Sequence, residues 1–147
     1  MISEEELKAK DAINRLMLAY CSNIDKGQLD DMAALFSRGT WIPSPGSPLK
    51  GRDAVAGFLN DFVILYDGVP KTRHVISNVL IDLADDVKSA TAESYVIIYQ
   101  AVDDSGPQII LQGYYNDTFT LDDGVWYFNE RHVYADGMGD VSKHIRS

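Results

Sequence analysis

Few side chains in this sequence are suited to moving a proton. His74 is one of three histidines and lies in KTRHVISN (71–78), among apolar and strand-forming residues where a titratable ring is uncommon. An imidazole titrates at roughly 6.5 when unperturbed, so general acid–base work asks only for one orienting group and an open cavity. A core histidine bonded to backbone would look the same at this level, because histidine is of intermediate burial. Asp25 stands where the first helix should end. A carboxylate there opposes the helix macrodipole by roughly a few tenths of a kcal/mol, so both a solvated helix end and a partner for His74 are open readings. Tyr20, five residues earlier, is either one more member of an apolar stripe or a hydroxyl able to hold a carbonyl oxygen as it gains charge.

A second ring of candidates would read a substrate. Asn78 shares a face with His74 by the period-two rule of a strand. His132 falls in phase with Trp126, Phe128 and Glu130, unless a bulge in that strand turns it outward. Tyr95, Tyr99 and Tyr115, with Trp41, Phe62 and Phe119, would give a cavity flat apolar walls with polar tips, suited to an aromatic or polycyclic oxygenated ligand. Ordinary core packing uses the same residues. His144, in the polar tail SKHIRS, is expected to be exposed. No GxSxG or HExxH occurs, and the histidines lack zinc-site spacing. No metal is expected.

The elements that must position these residues follow from periodicity. Residues 3–22 open with Ser3 and Glu6 at capping-box spacing, and Leu7, Ile13, Leu16, Met17 and Tyr20 then recur near helical period. Asp25-Lys26-Gly27 breaks that helix. LDDMAALF (29–36) predicts a short second helix and Thr40-Trp41-Ile42 a brief strand. The stretch PSPGSP must be loop. A third helix follows Gly51-Arg52-Asp53, with Asp53 as its expected N-cap. From residue 71 the period turns to alternation, in segments 72–83, 89–102, 108–121 and 125–135 joined by turn-forming residues such as LDDG (121–124). Four long consecutive strands after three helices predict a single α+β domain over 1–147, with helices on one face of a curved antiparallel sheet. Bent around a helix, such a sheet leaves a conical cavity open at one end.

Composition narrows the partners. The chain has 147 residues, 46% of them hydrophobic, with 13 basic against 22 acidic residues for a net charge of −9. That balance argues against nucleic acid or an anionic membrane surface. The lone Cys21 permits no intrachain disulfide. The N-terminal MISEEELKAK lacks the apolar run of a signal peptide, and no window approaches the ~20 apolar residues of a membrane span. A cytoplasmic protein is expected.

The order and spacing of INRLMLAYCSNIDKGQLDDMAALF, KGRDAVAGF, TRHVISNVLI, GYYNDTFTLDDGVWYFNER and DGMGDVSKHI resemble the NTF2-like (cystatin-like cone) superfamily, in particular its SnoaL-like branch. The resemblance implies three N-terminal helices packed on a curved, mixed but mostly antiparallel sheet with a central cavity. It further implies a scytalone dehydratase-like or bile-acid dehydratase-like site: a His–Asp pair with tyrosines and no cofactor. Carried over by position, the aspartate is Asp25, the histidine His74 and the tyrosine Tyr20. Where scytalone dehydratases have a tyrosine just before the aspartate this chain has Ile24. Tyr99 or Gln100 stands where their second strand carries another histidine, and Tyr115 stands near their later asparagine. The proton-transfer pair is retained and the substrate-reading set is not.

The expectation is therefore a cofactor-independent dehydratase acting on a small cyclic or polycyclic hydroxy-carbonyl compound. The alternatives are a steroid-isomerase- or polyketide-cyclase-like enzyme, and a non-catalytic ligand binder or partner subunit like the small subunit of ring-hydroxylating dioxygenases. His74, Asp25 and Tyr20 are the expected catalytic residues. Tyr99, Tyr115, His132, Trp41 and Asn78 are the expected binding residues. The uncovered sheet face predicts a homodimer or trimer.

Overall fold

The computed structural model describes residues 1–147. Helix α1 runs Glu4–Asp25. Its start is the expected capping box, with Ser3 Oγ accepting from Glu6 N–H (3.1 Å) and Glu6 Oε1 accepting from Ser3 N–H (3.3 Å). Ile13, Met17, Tyr20 and Ile24, spaced four, three and four apart, form the buried stripe that faces the sheet. The helix continues to Asp25 itself, so the carboxylate is carried on its last residue. Gly27 then turns the chain with φ +76°, and a Cβ there would lie 1.9 Å from the Gly68 carbonyl oxygen. Only glycine permits that approach, and it presses the end of α1 against the lead-in to the first long strand.

Helix α2 (Leu29–Ala34), strands β1 (Thr40–Ile42) and β2 (Leu49–Lys50) and helix α3 (Arg52–Phe62) follow. The two short strands flank the proline loop and pair antiparallel; β2, only two residues long, carries no alternation that sequence could show. Gly51, at φ +85°, caps α3, and Asp53 sits instead in its first turn, where its charge favours the helix dipole. The long strands β3 (Thr72–Leu83), β4 (Ser89–Gln100), β5 (Gln108–Asp122) and β6 (Val125–Met138) fall close to the segments the alternation predicts. They form one open six-stranded sheet in the order β2-β1-β6-β5-β4-β3, antiparallel except where β1 runs parallel to β6. The three helices pack on one face of this sheet, with residues from α1, α2, α3, β4, β5 and β6 in one apolar core.

Bulges bend the sheet and reset the phase of its side chains. In β3 the register shifts between Ser77 and Leu80, with Asn78 at φ 53°. Between β4 and β5 it shifts at Ile98/Tyr99, and between β5 and β6 at Gln112/Gly113 and Thr118/Phe119. Residues beyond β6 turn back over the end of the sheet. Ile64 N–H donates to His144 O (2.8 Å), Arg146 N–H to Phe62 O (2.8 Å), and Val63 bridges Ile145. Lys143 O accepts from Gln100 Nε2 (3.1 Å) and from the Tyr66 hydroxyl. No helix is long and apolar enough to cross a membrane.

Candidate active site

The end of α1 meets the start of β3 through Asp25. His74 Nδ1 lies 2.6 Å from Asp25 Oδ1, and the backbone N–H of His74 donates to Asp25 Oδ2 at 2.8 Å. Thr72 Oγ donates to Oδ1 as well, at 2.7 Å. Burial raises the carboxyl's proton affinity, but these hydrogen bonds from His74 and Thr72 outweigh it, and the pKa of Asp25 lies below the ordinary carboxylate value. With Nδ1 committed to a carboxylate, the ring of His74 is fixed in orientation and its Nε2 is left for other work. Both side chains are nearly sealed, at 3% and 13% exposure.

His74 opens on a cavity of about 330 Å³ between the helices and the sheet. Tyr20, Trp41 and Tyr115 share its wall with Ile24, Phe58, Ile98, Ile110 and Val133. Tyr20 packs edge-on against His74, with ring centroids 6.4 Å apart, and against Tyr115 at 5.5 Å. Burial pushes the Tyr20 hydroxyl up to about 12 and that of Tyr115 well above its usual value, so both are protonated donors at neutral pH. The indole Nε1 of Trp41 is buried and has no hydrogen-bond partner. The lining is otherwise apolar, so a ligand meets a few donors and one base in a dry wall. No three His, Cys, Asp or Glu side chains converge on a point where they could hold a metal ion.

The structure thus brings five of the eight expected residues together: His74, Asp25, Tyr20, Tyr115 and Trp41. Three lie elsewhere. Asn78 sits in the β3 bulge, exposed, because the inward phase passes from His74 and Ile76 to Val79 and Ile81. Tyr99 belongs to the outward phase of β4, whose inward residues are Val96, Ile98 and Gln100, and it lines an outer groove with Lys26, Lys71 and Arg73. His132 is turned outward by the bulge at Thr118/Phe119 and lies 3.7 Å from Glu130 on the sheet's other face. Of the other aromatic residues expected in the wall, Tyr95 and Phe62 are exposed and Phe119 is core, while Phe58 takes a place in the lining.

Two features escaped the sequence reading. His144 is not exposed: it is buried at 6% and lines the cavity, its ring 6.4 Å from that of His74. Arg131, wholly buried, makes a two-pronged ion pair with Asp117 (2.8 and 2.9 Å). Its guanidinium lies over the rings of Tyr115 (3.9 Å) and Tyr20 (4.3 Å), from behind the cavity wall. The signal for this pair was a charged residue on the buried phase of β5, between Tyr115 and Phe119.

The SnoaL-like domain family matches residues 5–132. The chain belongs to that family. Among solved structures, this SnoaL-like chain is similar to a Novosphingobium aromaticivorans protein provisionally described as a scytalone dehydratase, at 28% identity over 95% of this chain and 91% of that one, with a TM-score of 0.75. A Mycobacterium tuberculosis protein of unknown function shares the fold at 22% identity, covering 92% and 76% of the two chains, with a TM-score of 0.76. So does a hexachlorocyclohexane dehydrochlorinase at 17% identity, covering 92% and 90%, with a TM-score of 0.75. No curated protein matches the chain. Structures with the NTF2-like, cystatin-like fold are among those it resembles.

Proposed function

We propose that this SnoaL-like chain is a cofactor-independent lyase that removes water from a small cyclic hydroxy-carbonyl compound. The observation that carries the reading is the His74–Asp25 pair opening onto a mostly apolar cavity beside Tyr20. Asp25 holds the imidazole so that Nε2 can take the proton next to the substrate carbonyl. Tyr20 and Tyr115, protonated and pre-positioned, hold the carbonyl oxygen as charge collects on it. The β-hydroxyl then leaves as water with the proton returned from His74. A cavity of about 330 Å³ is at the small end of the roughly 300–1,000 Å³ usual for ligand sites, which favours a one- or two-ring compound over a larger polycyclic one. The dehydratase description of the Novosphingobium protein agrees with this class.

The same reading puts a second copy of the chain against the outward sheet face, where Val75 and Tyr95 are 49% and 57% exposed. The deciding experiment is turnover of a panel of cyclic 3-hydroxy ketones, followed by mass spectrometry. Loss of one water, abolished ~10²–10⁴-fold by His74→Ala, is expected. A product of unchanged mass would point to isomerisation or cyclisation from the same enolate. Turnover within a few-fold of wild type in His74→Ala would overturn the acid–base reading.

A further inference from the structure

The second imidazole in this cavity has no structural employment. No side-chain hydrogen bond reaches the His144 ring: Nδ1 is sealed within the protein without a partner, which leaves Nε2 as the nitrogen that can meet the cavity. A buried, unpaired polar group is destabilising, and an apolar side chain would fill the same place without that cost. Yet the segment that brings it is tied down on both sides. His144 O accepts from Ile64 N–H, its own N–H donates to Val141 O, and Lys143 O is held by Gln100 Nε2 and Tyr66. The chain is thus anchored so that this ring faces the cavity.

Spacing gives the ring its task. Its centroid lies 6.4 Å from that of His74, with the planes at 68°. A ring nitrogen lies about 1.1 Å from its centroid, so nitrogens turned toward each other would stand ~4–5 Å apart. That matches the ~4.7 Å spanned by one substrate oxygen making two hydrogen bonds of about 2.9 Å at a tetrahedral angle. We propose that His144 is a second catalytic imidazole, a neutral hydrogen-bonding group that holds the departing oxygen of the substrate opposite His74. The proposal rests on the elimination reading above. Burial first, and the neighbouring His74 second, hold the His144 pKa down to about 4, with Asp25 opposing weakly, so the ring stays uncharged at neutral pH and works by hydrogen bonding.

The step balances without a co-reactant. His74 Nε2 takes the α-proton, and the C–H pair becomes the enolate. That pair then forms the carbon–carbon double bond as the β C–O bond breaks. The oxygen receives the proton from His74 and leaves as water, while His144 keeps its own proton state throughout. The substrate class follows: a β-hydroxy carbonyl whose hydroxyl points toward the C-terminal segment.

The test uses two ligands that cannot eliminate, 3-hydroxy-2,2-dimethylcyclohexanone and 2,2-dimethylcyclohexanone, which differ by the β-hydroxyl alone. Titrated into protein with ¹⁵N-labelled histidines, the hydroxy ketone should shift the His144 ring nitrogens and the plain ketone should not. His144→Leu should bind the hydroxy ketone about tenfold more weakly and the ketone unchanged. His144→Gln, which keeps a donor and an acceptor, should lose only a few-fold. Equal shifts from both ligands, unchanged binding of the hydroxy ketone by His144→Leu, or no binding of the hydroxy ketone would overturn the role. Failure of the lyase reading is told apart by His74→Ala: water loss that survives it sinks that reading, while the nitrogen shifts still judge His144.

Discussion

Asp25 and His74 are joined twice, ring nitrogen to Oδ1 and backbone N–H to Oδ2. One carboxylate thereby fixes both the imidazole and the strand that carries it. An amide cannot copy its effect, because its oxygen must take the backbone N–H and its NH2 then donates to Nδ1, which leaves the proton on Nε2 and removes the base. Asp25→Asn should lower turnover by ~10²–10⁴-fold and stability by roughly 1–3 kcal/mol, measured by initial rates and by urea unfolding. Thr72→Val, which removes one bond to Oδ1 only, should cost about 1 kcal/mol and leave turnover within about tenfold. If the two variants behave alike, the double attachment has no special role.

Acid should weaken the fold through His144 before it does so through Asp25. An unfolded imidazole titrates near 6.5, whereas His144 in the fold resists protonation down to about 4. Between those values the unfolded chain binds the extra proton, so stability falls as pH falls, by ~3 kcal/mol at the lower end. Above about 6.5 the effect is absent. Asp25 acts lower down: its pKa is depressed, so its contribution is complete above about pH 4 and is lost as pH drops through its folded value. Urea unfolding at about pH 7.5 and about pH 4.5 should show a clearly smaller loss in His144→Gln than in wild type. An equal loss would contradict the assignment.

Arg131 and Asp117 should be destabilising to separate and tolerable to replace together. Arg131→Met leaves a buried carboxylate alone, which costs ~3–5 kcal/mol. Arg131→Met combined with Asp117→Leu removes both charges and should recover most of that. Chemical denaturation of the two singles and the double gives the coupling directly. A double variant as unstable as the single would show that the stacking of Arg131 on Tyr115 and Tyr20, not its charge pairing, holds this wall.

The outward sheet face should self-associate. Tyr95, Tyr114 and Tyr134 lie side by side across three strands, and Tyr114 stacks on Tyr134 at 4.9 Å. A charge in the middle of such a face disfavours burial. Size-exclusion chromatography at micromolar concentration should give a dimer or trimer for wild type and a monomer for Tyr95→Glu. A wild-type monomer would remove the interface.

These residues also show what alternation can and cannot tell. Of the stripe Leu7, Ile13, Leu16, Met17 and Tyr20 that helical period predicts, Ile13, Met17 and Tyr20 are buried and Leu16 partly so. Leu7 is 54% exposed, and Ile24 completes the buried face next to Asp25. The pair His74–Asp25 was legible by residue type at the two ends of that geometry. Residues beyond a bulge were not. Each extra residue in a strand inverts the phase of everything after it, and that is how Asn78 and His132 came to be expected inside. Arg131 was hidden the same way. Extending the hairpin from Asp122 opposite Val125 without a bulge sets Asp117 against Glu130, a repulsive pairing, whereas the bulge sets it against Arg131. His144 was hidden by its surroundings: SKHIRS is polar, and only the hydrogen bonds from Gln100, Tyr66 and Ile64 reveal that the segment is an inside surface.

The match to the SnoaL-like family ends at residue 132, yet the cavity is still being built at Val133, Met138, Val141, His144 and Ile145. On the lyase reading proposed above, the proton-transfer pair and the last part of the cavity wall therefore lie in different stretches of the chain, and the second stretch carries His144 as well. Exchanging a dozen terminal residues between relatives would retune which molecule is accepted while leaving Asp25 and His74 as they are, and a purification tag fused directly after Ser147 would sit three residues from the active cavity.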